Sequence, residues 1–167
     1  MQPWHLRGLV MALLQIVVRI LLGFGIIAWP VQSPILRAIA IAVVVIAAIV
    51  WGGYDGIRDA RAHPDPDDYA DLTMRWLKAG LAAGFISCLV CWILGTFWIN
   101  GLGQADFWVE MTAGLSFITL LVYVPAFFGV SVGRYLVRRD QRKGEDTDWS
   151  HREQSDADAP TQVVQVG

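Results

Sequence analysis

The stretch AIAIAVVVIAAIVWGGY, residues 38–54, holds no charged side chain and, as far as Val50, no polar one. Wound as an α-helix at about 1.5 Å per residue it is about 26 Å long, close to the roughly 30 Å of a bilayer's hydrocarbon core. Ile39 to Val50 is apolar on every face. It therefore lacks the sustained polar alternation of an outer-membrane strand, and a helix pairs all of its own backbone groups in lipid. Further uncharged runs lie at 20–36, 79–105 and 111–133. The simplest parse is an all-α polytopic membrane protein with four transmembrane helices, near 8–29, 35–53, 76–100 and 109–133.

Composition agrees. Hydrophobic residues make up 55% of the 167 and charged residues only 17%, against roughly 25% charged in soluble domains, so a water-soluble fold is disfavoured. The charges are segregated: eight lie in 54–73 and twelve in 137–167. Lys and Arg are retained on the cytoplasmic side of a membrane. Arg7, Arg58, Arg61, Arg75, Lys78, Arg138, Arg139, Arg142 and Lys143 share one side, and Arg37 stands alone on the other. This predicts a multi-pass plasma-membrane protein with cytoplasmic termini, a cytoplasmic loop at 54–73 and a disordered cytoplasmic tail at 140–167. Trp4, Trp29, Trp51, Trp76, Trp98 and Trp108 fall near span ends, where amphipathic rings favour the headgroups. Arg19 interrupts the first apolar stretch and no small-x-small cleavage site follows, so this span is expected to be retained rather than cleaved as a signal peptide. The net charge of -2 gives no support for a nucleic-acid partner, and membrane lipid is the expected surrounding.

Arg19 falls in the middle of the first span. An arginine there costs about 2.5–3.5 kcal/mol on insertion scales and usually faces a bundle interior or a wet cavity. Gly8, Ala12, Gln15, Arg19 and Gly23 recur at helical spacing, which puts small and polar groups on one stripe. Depth along the fourth span then predicts an intramembrane polar cluster of Gln15, Arg19, Ser116 and Thr119, with Glu110 as a counterion at its outer edge. Arg19 could fix helix depth by snorkelling, serve a substrate or proton, or guide assembly. Gly80, Gly84 and Gly95 in the third span and Gly129 and Gly133 in the fourth form rows that let helix backbones approach in lipid, either within the chain or as a homodimer seam. Pro125 is expected to kink the fourth span. A faint likeness between the halves, at an offset near 72, suggests two helical hairpins related by an axis along the membrane normal.

Cys88 and Cys91 form a CxxC inside an apolar span without a second ligand pair, so inert buried thiols are expected. No catalytic constellation is present, and neither a metal nor a cofactor is implied. The charged loop extends the second helix until Pro64 and Pro66 end it; Asp55, Arg58, Asp59, Arg61, His63, Asp65, Asp67 and Asp68 give it its character. The spacing of His63 and the aspartates matches no recognised cation site.

The loop from Trp51 to Asp68, with Ala70 to Ala79 after it, resembles the small actinobacterial membrane proteins classed as a bacterial four-span drug/metabolite transporter-like family. The likeness covers about residues 4 to 139. It implies a four-helix inner-membrane protein and a transporter. Small multidrug exporters of the same superfamily use a membrane-embedded glutamate in the first span, where this chain has Arg19; an arginine repels a cation and does not titrate at physiological pH. Two functions follow as expectations: transport of a small or amphiphilic solute, or a non-transporting adaptor whose 54–73 loop and tail bind a cytoplasmic or envelope protein partner.

Overall fold

The computed structural model of the chain describes residues 4–63, 65–97 and 106–157. These residues form helices without a strand. Helix α1 is Trp4–Ala28, and a single 3₁₀ turn at Pro30–Gln32 leads into α2, Ser33–Ala62. Helix α3 is Leu72–Phe97. Helix α4 starts with one turn, Phe107–Val109, continues through a π-helical segment, Glu110–Gly114, and runs on as Leu115–Ala157. All four are long and apolar enough to cross a membrane, so the chain is an integral, multi-pass membrane protein. One end of the bundle carries the start of α1, the continuation of α4 and the 63–71 connection, and is here the polar end; the other is the apolar end.

Two boundaries differ from the sequence expectation. Helix α2 does not stop near 53 but carries the first half of the expected loop, ending when His63 N–H reaches the Asp59 carbonyl at 3.0 Å. Nothing before Pro64 breaks it, and the aspartates that a free helix end would expose to lipid headgroups are partnered within the bundle. Helix α4 continues past 140 as far as Ala157, with no proline between Pro125 and Pro160, since extending an existing helix is far easier than starting one. Residues 158–167 lie outside the described residues. Asp71 starts α3 by accepting Met74 N–H at 2.9 Å, an N-cap.

The helices form a square in which α1 neighbours α2 and α3, and α4 neighbours α2 and α3. The longest contact is α2 on α4, running parallel. There the backbones meet at glycine. A Cβ on Gly52 would sit 2.9 Å from the Ala126 Cα, one on Gly56 2.9 Å from the Val130 Cα, and one on Gly129 2.9 Å from the Gly53 nitrogen. Gly133 is equally closed by Gly53 and Ile57. Gly52 and Gly56 thus pack on the backbone of Ala126 and Val130, and Gly129 and Gly133 on that of Ile49, Gly53 and Ile57, with a GxxxG row on each helix. Gly80 and Gly84 of α3 face Thr119 and Leu115 of α4. These rows therefore serve packing within the chain, and Gly95, half-buried near the apolar end, makes none of these approaches among the described residues.

The square also corrects the symmetry expected of the hairpins. Helices α1 and α3 are neighbours, as are α2 and α4, so the second hairpin lies beside the first like a shifted copy. A two-fold axis through the bundle centre would put equivalent helices on diagonals. Trp76 differs too: it is 1% exposed and meets Trp51 edge-on at 6.2 Å, so it is core rather than headgroup belt. Trp4, Trp29 and Trp108 are exposed, and Trp98 lies outside the described residues.

The glycine seam carries a stability prediction. Gly56→Val pushes a side chain into the α4 backbone, and overpacking of this kind costs about 1–3 kcal/mol or more. Thermal unfolding in mild detergent should show a clear drop in midpoint for Gly56→Val and little change for Gly95→Ala.

Candidate functional site

Three buried carboxylates, Asp55, Asp59 and Glu110, organise the polar chemistry of the bundle. Asp55 and Asp59 are one turn apart on α2 and turn inward beside the glycine seam. Arg7 Nε donates to Asp55 Oδ2 at 2.7 Å, with both side chains almost fully buried. Arg134 Nη2 donates to Asp59 Oδ2 at 2.5 Å and to the Ala70 carbonyl at 2.8 Å. Ala70 N–H in turn donates to Asp59 Oδ1 at 3.3 Å, and His63 Nδ1 lies 3.6 Å from that oxygen. Tyr69 covers this cluster: the Arg134 guanidinium sits 4.6 Å from its ring centre, and Arg138 Nε donates to its hydroxyl at 3.1 Å. Asp59 therefore ties α2, α4 and the 63–71 connection together.

The expected loop motif is split by this arrangement. Asp55 and Asp59 are structural ion-pair partners, whereas Arg58, Arg61, Asp65, Asp67 and Asp68 are exposed. Asp65 Oδ1 accepts Asp67 N–H at 3.1 Å, an ordinary turn contact. Among the described residues no group of three or more His, Cys, Asp or Glu is arranged to hold a metal ion.

Toward the apolar end the third carboxylate meets Arg19. Its Nη1 donates to Glu110 Oε1 at 2.5 Å, across the diagonal from α1 to α4. The sequence placed Glu110 too shallow for easy pairing, and the local backbone explains the difference. Glu110 opens the π-helical segment and its side chain runs forward over Gly114: a Cβ at Gly114 would lie 3.3 Å from the Glu110 carboxyl carbon and 3.2 Å from Cys88 Sγ. The carboxylate is thereby carried about one turn deeper than its own backbone, roughly 6 Å at 1.5 Å per residue. π-helical turns of this kind are frequent at functional sites.

The other members of the expected cluster separate. Ser116 is exposed and its hydroxyl donates to the Thr112 carbonyl of its own helix at 2.7 Å, the usual way a serine in a membrane helix is satisfied. Thr119 is buried and donates to the Gly80 carbonyl at 3.4 Å, so it belongs to the α3–α4 contact. Gln15 is buried on the same side of α1 as Arg19, and its Oε1 has no hydrogen-bond partner. Cys88 and Cys91 are buried free thiols.

Gln15, Arg19 and Glu110 share a cavity of about 270 Å³ between α1, α2 and α4. Arg37, near the start of α2, joins them, and the rest of the wall is apolar, including Val18, Leu22, Val44 and Leu121. Ile41 and Phe117 of that wall are exposed, so the cavity opens sideways, where lipid would lie. Arg37 was read from the sequence only as a topological exception, and Gly52, Gly56 and Arg134 were not singled out for any role. The repeat of Gly52-Gly56 with Asp55-Asp59 at i, i+4 was the available signal for one inward face.

The chain matches no family model, and no curated protein is significantly similar to it.

A stability test follows from the Arg19 pair. Removing one partner of a buried ion pair costs about 3–5 kcal/mol, whereas replacing both by apolar groups is often neutral or stabilising. Arg19→Leu should unfold well below the parent protein, and Arg19→Leu with Glu110→Leu should recover most of the loss in the same thermal measurement.

Proposed function

We propose that this protein moves a small amphiphilic solute in the plasma membrane, with both termini and the 63–71 connection in the cytoplasm. The observation that carries the proposal is the laterally open cavity between α1, α2 and α4, whose wall is apolar apart from Gln15, Arg19, Arg37 and Glu110. A concave, mostly apolar site with a few convergent polar groups is the usual form of a small-molecule site. An intramembrane ion pair at its wall is costly unless it has a task or a structural partner, and here it has both an aspect toward the cavity and a link between helices. The resemblance of residues 51–79 to four-span drug/metabolite transporter-like proteins supports the same conclusion. The concentration of Lys and Arg at the polar end supports the orientation.

An adaptor role would rest on the surface of the 54–73 segment together with the tail. With Asp55 and Asp59 engaged inside the bundle, that surface is reduced to scattered exposed charges, and the cavity is the stronger basis for a function.

Ala40 lines the cavity and tests the proposal. In proteoliposomes offered anionic, neutral and cationic fluorescent amphiphiles, at least one should cross faster than in protein-free vesicles. Ala40→Trp fills the cavity and should lower that flux about tenfold, equivalent to roughly 1.4 kcal/mol, with an unchanged thermal midpoint. Flux no faster than in empty vesicles across the panel, or flux untouched by Ala40→Trp, overturns the proposal.

A further inference from the structure

We infer that the cavity takes a single-chain amphiphile whose head is anionic and also donates a hydrogen bond, an inference that rests on reading the cavity as a solute site. The charge follows from which member of the ion pair is accessible. Arg19 is 25% exposed and Glu110 only 9%, because the carboxylate is folded back over Gly114 and engaged by the guanidinium. Glu110 neutralises the pair overall but shows the cavity little of its charge. Arg37 is exposed at the mouth and adds a second cation. The charge a ligand meets is therefore positive, and the guanidinium offers further N–H groups in the planar fork that recognises carboxylate and phosphate.

Gln15 supplies the second requirement. It is 6% exposed, lies one turn from Arg19 on α1 and lines the cavity, yet its Oε1 is without a partner. A buried amide oxygen without a hydrogen bond is destabilising; Oε1 is itself closed to solvent, and a head-group O–H beside Arg19 would satisfy it once the amide turns toward the cavity. The amide nitrogen of Gln15 can donate to the same head. Polar groups thus come mainly from α1, while α2 and α4 give the apolar wall, and the chain leaves past Ile41 and Phe117 toward lipid.

Size selects among amphiphiles. A cavity of about 270 Å³ is several times what one water needs, enough for a head and part of one chain. Alkyl phosphates, whose monoanion keeps one P–O–H, share this chemistry with anionic phospholipids that carry a head-group hydroxyl, and the space beside such a head admits the start of one chain.

Radiolabelled dodecyl phosphate provides the probe, with the full chain in phosphatidylcholine nanodiscs and empty discs as background. Saturable binding of one molecule per chain is expected. Arg37→Glu, at an exposed position, and Gln15→Leu, which removes a buried amide without a partner for its oxygen, should each weaken it about tenfold without lowering the thermal midpoint. Dodecyltrimethylammonium should not compete. Binding no greater than in empty discs, unchanged affinity in both variants, or displacement by the cationic amphiphile overturns the inference. Loss of the probe when phosphatidylglycerol is added to the discs also overturns it, by making a two-chain lipid the occupant. Saturable binding without flux in proteoliposomes would remove the transport proposal and leave this one standing. Flux of a cationic amphiphile without dodecyl phosphate binding would do the reverse.

Discussion

The contact of α2 with α4 through Gly52, Gly56, Gly129 and Gly133 is the constraint on which the rest of the bundle depends. Between helices in lipid there is no hydrophobic gain from association, so close backbone packing and polar contacts must hold them. The seam lies in the half of the bundle nearer the polar end, and it sets the distance at which Asp59 of α2 meets Arg134 of α4. Toward the apolar end the facing residues are large: Ile41 and Val44 on α2, Phe117, Ile118 and Leu121 on α4. The cavity lies beside these residues, and α1 forms its third side.

Charge pairing follows the same geometry. Each of the three buried carboxylates takes an arginine from another helix: Asp55 from α1, Asp59 from α4, and Glu110 of α4 from α1. Helix α3 contributes no member to these pairs. It is held instead by the Thr119 hydroxyl on the Gly80 carbonyl, by Gly8 of α1 set against Ala79 and Ala82, and by Trp76 in the core. The molecule is thus built with α3 as a packed support and with α1, α2 and α4 as a charge-linked trio, and the cavity belongs to the trio alone.

How much of this was legible in the sequence depends on the range of the interaction. The four spans were, since a long uncharged run has one physical solution in lipid. Arg19 as a half-buried group on a small and polar stripe was legible for the same reason. Its partner was not, because depth counted from Trp108 assumes a regular α-helix and an extended side chain, whereas the π-helical turn and Gly114 carry the Glu110 carboxylate inward. Asp55 and Asp59 read as loop charges because nothing in one segment announces an arginine 48 or 75 positions away. The rows at Gly129 and Gly133 were visible, but a seam needs two faces, and Gly52 and Gly56 were hidden at the edge of a charged segment.

The three ion pairs differ in what breaking them would do. Arg7–Asp55 and Asp59–Arg134 lie beside the glycine seam, so opening the polar end would uncover charges and separate backbones in direct contact. Arg19–Glu110 lies at the cavity wall, and the guanidinium is the more exposed member. A solute anion there can share the guanidinium with Glu110 without any helix moving, whereas passage onward to the polar end requires α1 to part from α2 at Arg7 and Asp55. Under the proposed transport function, binding is consequently a local event and crossing a global one, so that the barrier belongs to the polar-end ion pairs and the selectivity to Gln15, Arg19 and Arg37.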